Sequence, residues 1–300
     1  MIELIFLGTS GGMPTKNRAH SAIALRYGGE ILLFECGENT QRQLMYTTYS
    51  PMKIDKVFIS HWHADHFAGL PGLIQSMSLL NRAKDLHIYG PKHTKKFVDM
   101  IMKTGHFNCR FDVVAHDITS KKMVCAGKKY SVFALPVSHS VETLAFKFEE
   151  MPKQGKFDAV KAKKLGVEGP DFKKLQKGKS VKIGKKKIRP EQVIGPDRPG
   201  KTITYSGDTA YSEKLIEFAK KSDLLIHEAT YGDEMKLWAK KVKHCTNVQA
   251  AELAKKAKVK ELILTHISPR YKETKTFLAQ AKKKFRNTKV ASDFMEVQVK

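Results

Sequence analysis

The chain reads as an α+β protein in which mixed β-sheets pack face to face with helices outside, and three observations predict it. Short apolar runs of strand length follow one another in the first third with few helical stretches between them, whereas later runs alternate with amphipathic segments of 3.6-residue period. No apolar stretch approaches the roughly 20 residues that a membrane span needs; the longest, such as Ile31-Leu32-Leu33-Phe34, suit buried strands. The 300 residues, 41% of them hydrophobic, suffice for one substantial core or two smaller ones.

In chain order, strands are predicted at 3–7, 21–27, 30–35, 56–60, 86–89, 131–136, 143–148, 202–206, 224–227 and 261–265, where β-branched and aromatic residues cluster between turn signals. Helices are predicted at 73–81, 95–103, 212–221, 248–257 and 274–284. Length alone leaves one domain or two half-domains open. The N-terminal run Met1-Ile2-Glu3-Leu4 lacks a basic leader and is broken by Glu3, so a cytoplasmic protein is expected. Four cysteines without a Cys-x-x-Cys pair suit free thiols better than disulfides or a thiolate metal cluster.

Charge is the unusual quantity. Lys and Arg number 54 against 30 Asp and Glu, a formal +24, which favours a polyanionic partner, nucleic acid first. Residues 151–190 alone carry +11, where an even spread would put roughly +3. Glycines and prolines punctuate this segment and its apolar content is low, so it is expected to bury no core of its own. A solvated lysine-rich insertion and a phosphate-gripping arm both fit that composition.

The chemistry concentrates in Ser60-His61-Trp62-His63-Ala64-Asp65-His66, between a predicted strand and a predicted helix. In an extended turn His61 and His63 point to one side and can share one divalent ion, and Asp65 and His66 lie one short step on, aimed at a neighbouring ion. Nitrogen and carboxylate donors without thiolate fit zinc best, and manganese or iron less well. A structural site would be closed and usually cysteine-rich, so a catalytic centre is expected. Further donors stand at predicted strand ends: His139 after Pro136-Val137-Ser138, Asp208 in Ser206-Gly207-Asp208-Thr209, and His266 after Leu262-Ile263-Leu264-Thr265. A carboxylate in such a turn can give one oxygen to each of two ions.

Together these residues resemble the metallo-β-lactamase superfamily, and more closely its ribonuclease Z family of tRNA 3′-processing endonucleases, in the short form. The likeness spans essentially the whole chain, from Phe6-Leu7-Gly8-Thr9-Ser10-Gly11-Gly12 to Ala291-Ser292-Asp293-Phe294-Met295, through Gly37-Glu38-Asn39-Thr40-Gln41, Gly69-Leu70-Pro71-Gly72-Leu73, His227-Glu228-Ala229-Thr230 and Ser268-Pro269-Arg270-Tyr271. The resemblance implies a single four-layer αββα domain over residues 1–300. It implies two zinc ions per subunit, manganese being possible, held by His61, His63 and His139 on one side and Asp65, His66 and His266 on the other, with Asp208 between them. Asp65, a ligand with one oxygen free, can orient the attacking water and take its proton; the resemblance places His244 near the scissile phosphate, where, held by Glu228, it is the natural acid for the leaving oxygen; and His227, alternating to the other face of its strand, is at most a supporting residue.

The same resemblance makes residues 151–190 an exosite arm that clamps the tRNA elbow. Gly169-Pro170 and Leu175-Gln176-Lys177-Gly178 stand where its motifs fall, and Lys173, Lys174, Lys177 and, nearer the metals, Arg270 are the candidate RNA contacts. It implies precursor tRNA as substrate and a homodimer in which one subunit's arm serves the other's site, with no membrane and no small organic cofactor. Two departures stand out. Glu35-Cys36-Gly37-Glu38 replaces the usual Asp-Cys-Gly-Glu, lengthening a buried carboxylate by one methylene, and His244-Cys245-Thr246 replaces His-Ser-Thr; activity is expected to survive both.

Two rivals are set against this. A superfamily hydrolase of a small phosphodiester or (thio)ester would use the same ligands but has no use for the basic arm; a non-catalytic RNA-binding module would not need a complete ligand set. Scattered tyrosines reveal no base-stacking platform, so recognition of folded RNA by shape is expected.

Overall fold

Strands whose side chains alternate between two apolar environments build the larger unit, Met1–Glu149 with Thr202–Lys300, in the computed structural model, which describes residues 1–106 and 108–300. Its first sheet contains β1 (Ile2–Gly8), β2 (Ala22–Tyr27), β3 (Glu30–Phe34), β4 (Ile54–Phe58), β5 (Leu86–Gly90) and β6 (Val113–Asp117). Its second holds β7 (Lys122–Ala126), β8 (Tyr130–Val137) and β9 (Thr143–Glu150). A separate hairpin pairs β10 (Val181–Ile183) with β11 (Lys186–Ile188). The second sheet is completed by β12 (Thr202–Tyr205), β13 (Leu224–Glu228), β14 (Glu261–Thr265) and β15 (Thr288–Val290), and β16 (Glu296–Val299) returns to the first.

The orders are β16-β1-β2-β3-β4-β5-β6 and β15-β14-β13-β12-β9-β8-β7. Both sheets are mixed: β3 to β6 run parallel, as do β12 to β15, while β12 pairs antiparallel with β9.

Alternation then sets the layers. Leu4 and Phe6 of β1, Leu32 and Phe34 of β3 and Phe58 of β4 form one core with Phe146, Phe148, Ile203, Tyr205 and Ile226 of the second sheet. Intervening residues Ile5, Leu7, Leu33 and Val57 pack instead with Leu73, Met77 and Val98 from helices Leu70–Leu79 and Thr94–Met102. On the far side Ala145, Leu225, Leu262 and Leu264 lie beneath helices Glu213–Phe218, Asn247–Ala257 and Lys275–Lys284. Helix, sheet, sheet, helix is the expected four-layer sandwich.

The ten predicted strands and five predicted helices are present with shifted ends. Helix Leu70–Leu79 starts three residues before the predicted 73, because Pro71 in its first turn has no amide to waste there. The unpredicted β6 and β7 have no fully buried residue, so neither shows a clean alternation. No helix among the described residues is long and apolar enough to cross a membrane.

The second unit is Glu150–Lys201. The structure differs here from the expectation of a coreless segment: Ala162, Val167, Leu175, Val181, Ile188 and Val193 are buried in a cluster of their own. They come from helices Ala159–Lys164 and Asp171–Gln176, the β10–β11 hairpin and the turns between. Lysines, glycines and other polar residues separate most of these positions, so the sequence shows no sustained hydrophobic periodicity there, and tertiary folding gathers them. Asp158 caps the first helix, its Oδ1 accepting from the Lys161 amide at 2.8 Å. Gly169, at φ +51°, and Pro170 lead into the second, and Lys173, Lys174 and Lys177 are exposed, Lys174 being paired with Asp171 at 2.8 Å.

Candidate metal centre

All the predicted metal-binding residues follow the C-terminal ends of strands. The chain leaves β4 through Ile59 and Ser60, and His61 and His63, the latter in extended backbone, precede a single helical turn, Ala64–Phe67, that carries Asp65 and His66. Glu35 anchors this loop: its buried carboxylate accepts the Ser60 amide at 3.1 and 3.2 Å and lies 3.5 Å from His66 Nδ1. Gly37 allows the close approach, since a Cβ there would sit 2.4 Å from the Asp65 carbonyl oxygen. His139 follows β8, Asp208 follows β12 after Gly207, and His266 follows β14 with φ +57°. Its ring lies against Gly11, where a Cβ would come within 2.4 Å of it.

Two of the residue groups that could hold an ion are His61, His63 and His139, and Asp65, His66 and His266, with ligand atoms in each group within 4.8 Å of one another. Asp208 lies between them: its Oδ2 is 3.8 Å from His61 Nε2, 3.5 Å from His66 Nε2 and 3.3 Å from His266 Nε2.

The hydrogen bonds around the rings decide which nitrogens face this space. His139 Nδ1 donates to the Lys243 carbonyl at 3.0 Å, His266 Nδ1 to Thr230 Oγ1 at 2.8 Å, and His61 Nδ1 pairs with Ser60 Oγ at 2.9 Å. Satisfying Nδ1 leaves Nε2 with its lone pair directed inward, the arrangement usual for metal-binding imidazoles. His63 is reversed, its Nδ1 lying 2.9 Å from His61 Nε2.

Burial pushes His61, His63 and His139 down, so these rings are neutral at pH 7. Burial opposes ionisation of Asp208, but the surrounding His266 and His66 outweigh it and hold the carboxyl well below its usual range. His139 Nε2 and Asp208 Oδ1 are buried without a hydrogen-bond partner. Orphaned lone pairs beside an ionised carboxylate are costly unless a cation meets them, and this donor set of imidazole and carboxylate suits divalent zinc or manganese. Added to chelator-treated protein, a divalent cation at a thousand times its dissociation constant is expected to stabilise the fold by about 4 kcal/mol. A thermal midpoint that zinc and manganese leave unmoved would remove the cluster as a metal centre.

Beside the cluster, Glu228 ends β13 fully buried. Its Oε1 accepts from His244 Nδ1 at 2.8 Å, Cys245 N at 3.1 Å and Thr209 N at 3.1 Å, and its Oε2 from Thr230 N at 3.0 Å and Thr230 Oγ1 at 2.8 Å. Burial alone would push His244 down; the charge of Glu228 and its hydrogen bond outweigh that and raise the ring to about 9. The partly exposed His244 lines a cleft of about 400 Å³ with Gly12, His63, Asp65, Asp208, Tyr231 and Arg270. His227, on the opposite face of β13, gives Nδ1 to the Glu228 carbonyl at 2.6 Å and belongs to none of the possible metal groups among the described residues.

Thr230, Ser60 and Lys243 are not legible as site residues, because each acts only by hydrogen bonds that hold the cluster's rings or the Glu228 carboxylate in place. Cys245 is buried with its amide on Glu228, so its backbone makes that bond whichever side chain stands there.

With this geometry in view, the likeness to known proteins is specific. A β-lactamase superfamily domain model matches residues 182–267, and the model of the anti-Pycsar protein Apyc1 matches residues 2–119. Ribonuclease Z of Methanosarcina mazei is 44% identical over 301 residues, covering 100% of this chain and 98% of its own length, and that of Methanothermobacter thermautotrophicus is 46% identical over 303 residues, covering 100% and 97%. The chain belongs to the ribonuclease Z family. Within solved structures, the short form of human tRNase Z superposes with a TM-score of 0.74 at 27% identity over 99% of both chains. The metallo-β-lactamase fold protein YhfI of Bacillus subtilis shares the fold of this ribonuclease Z family member, at a TM-score of 0.71 and 21% identity over 99% of this chain and 98% of its own.

Proposed function

We propose that this chain is a zinc-dependent endoribonuclease that removes 3′ trailers from tRNA precursors, leaving a 3′-hydroxyl on the tRNA and a 5′-phosphate on the trailer. The observation that carries this is a complete imidazole and carboxylate cluster beside the His244–Glu228 pair, in a chain 44–46% identical to ribonuclease Z proteins along its full length. His61, His63 and His139 would hold one zinc, Asp65, His66 and His266 the other, and Asp208 both, with manganese as a substitute. Bound there, the ions would supply Lewis acidity, lowering the pKa of water to around 7 and neutralising charge on the phosphate.

The chain's own groups complete the reaction. Asp65 Oδ2 takes the Gly12 amide at 2.7 Å and lies 3.3 Å from His266 Nε2; its Oδ1 engages neither and can orient the attacking water and accept its proton. His244, with Nδ1 on Glu228, keeps an Nε2 proton for the departing 3′ oxygen. The basic Glu150–Lys201 unit, with sixteen Lys and Arg against six acids, would grip tRNA phosphates through residues including Gly169, Pro170, Lys173, Lys174 and Lys177. Arg270 would contact RNA at the cleft. The enzyme would work in the cytoplasm as a homodimer, as the family resemblance implies.

The test is a labelled precursor with a 3′ trailer, with and without chelator, beside bis(p-nitrophenyl) phosphate. Metal-dependent cutting just after the discriminator base is expected. A variant with residues 150–201 replaced by a short turn should keep ester hydrolysis yet bind precursor more weakly, its salt dependence flattening by about 0.9 in log–log slope for each phosphate no longer neutralised. Ester hydrolysis with intact precursor would move the assignment to a small-substrate hydrolase.

A further inference from the structure

The cleft wall continues outward into a surface that the chemistry above does not use. Tyr231, which lines the cleft and meets the His244 ring edge-on at 5.9 Å, is covered on one face by the Arg270 guanidinium at 5.3 Å. Its hydroxyl accepts from Trp238 Nε1 at 3.3 Å, and the Lys241 ammonium stands 5.4 Å from the Trp238 ring centre. Trp238 is 43% exposed and the adjacent Leu237 is 86% exposed, on a short helix, Lys236–Lys241. Exposed Lys236, Lys240 and Lys241 surround them. The neighbouring acids are turned to other partners: Glu234 accepts from Tyr271 Oη at 2.5 Å, and Asp233 from Thr246 Oγ1 at 3.4 Å.

A solvated tryptophan and leucine cost a soluble surface some free energy, and here they continue directly from the candidate site. Rings alternating with cations make a platform for unpaired nucleotides, since every base has a π-face to stack and every linkage a phosphate to neutralise. The acceptor stem of a tRNA hides its base faces in pairs; the RNA beyond the stem does not. We propose that Arg270, Tyr231, Trp238 and Lys241 form a track that holds the unpaired RNA running from the acceptor stem through the cleft, so that trailer length and single-strandedness set how well a precursor is cut. The track rests on the endonuclease assignment above and adds to it a local stacking surface that the scattered aromatic residues of the sequence do not disclose.

Trp62 and Trp238 are the two tryptophans, so fluorescence reads the track directly. An unstructured RNA oligonucleotide should quench the wild-type holoenzyme, and Trp238→Ala should lose that quenching. For a precursor with an unpaired trailer, Trp238→Ala should lower the ratio of kcat/KM on precursor to kcat/KM on bis(p-nitrophenyl) phosphate about tenfold, mostly through KM. Pairing the trailer with a complementary strand should erase the difference between variant and wild type, and Trp238→Phe, which keeps a ring, should restore most of the loss. The track is wrong if the variant cuts unpaired-trailer precursor as well as wild type, if quenching survives without Trp238, or if Trp238→Ala instead changes the oligomeric state by light scattering, which would make the patch an interface between copies. Failure of the wild type to cut any precursor would sink the endonuclease assignment itself.

Discussion

Asp208→Asn, which keeps the shape of the side chain and removes its charge, is expected to lower kcat/KM for precursor cleavage by roughly 10²- to 10⁴-fold, with loss of bound metal. Asp208 is 2% exposed, and its Oδ2 lies within 3.8 Å of His61, His66 and His266, so this carboxylate reaches both ligand groups. Withdrawing one member of a buried charged cluster typically costs about 3–5 kcal/mol, because the remaining charges stay buried without compensation. A loss of that size in the free energy with which the cluster holds its ions, at about 1.4 kcal/mol per factor of ten, corresponds to the expected fall in rate. Elemental analysis and kinetics check it together. A variant that retains its metal and cuts precursor within tenfold of wild type would show that Asp208 does not join the two groups.

His244→Ala should separate two kinds of substrate. Loss of a positioned proton donor typically costs about 10²- to 10⁴-fold when the leaving oxygen is strongly basic, as a ribose 3′ oxygen is. The p-nitrophenolate ion leaves without such help, so the variant should lose precursor cleavage while still hydrolysing bis(p-nitrophenyl) phosphate. The pH profile gives the sign: Glu228 holds His244 up at about 9, so the proton is present at neutral pH and precursor cleavage should fall as pH rises past that value. Glu228→Gln removes the charge that raises the ring, and the alkaline limb should move to lower pH. Equal losses on both substrates would deny His244 the acid role.

How much of this could be read from the sequence depends on whether a residue announces itself through its neighbours. The run Leu4, Ile5, Phe6 and Leu7 is visible in four consecutive apolar letters and reads as a strand buried on both faces, while the fold decides that Leu4 and Phe6 meet the opposite sheet and Ile5 and Leu7 the helices. The string from His61 to His66 is similarly self-contained. His139, Asp208 and His266 are single letters at strand ends, and it took the family pattern to gather them; the fold does so by aligning the C-terminal ends of β4, β8, β12 and β14. Least legible is the Glu150–Lys201 core, where Val167, Leu175, Val181 and Ile188 are spread thinly among lysines, glycines and other polar residues. Hydrophobic periodicity reports burial only when one element presents several apolar residues to the same neighbour. The roles of Thr230 and Lys243 were beyond reach for a different reason: one bonds through a hydroxyl and the other through a main-chain carbonyl, which every residue has.

The pairing of β9 with β12 bears on how such a protein can change over evolutionary time. Glu149 stands opposite Thr202, so the whole basic segment leaves and re-enters the sandwich at one rung of an antiparallel ladder, as the turn of a hairpin would. Doubling the length of a loop closed in this way costs only about 0.6 kcal/mol in chain entropy. Lineages can therefore lengthen, shorten or recharge this segment while the strand register, and with it the ligand-bearing ends of β8 and β12, stays in place. With this segment as the RNA grip proposed above, substrate preference and bond-breaking chemistry would be inherited separately within one polypeptide, and selection could retune the first for a new RNA without rebuilding the second.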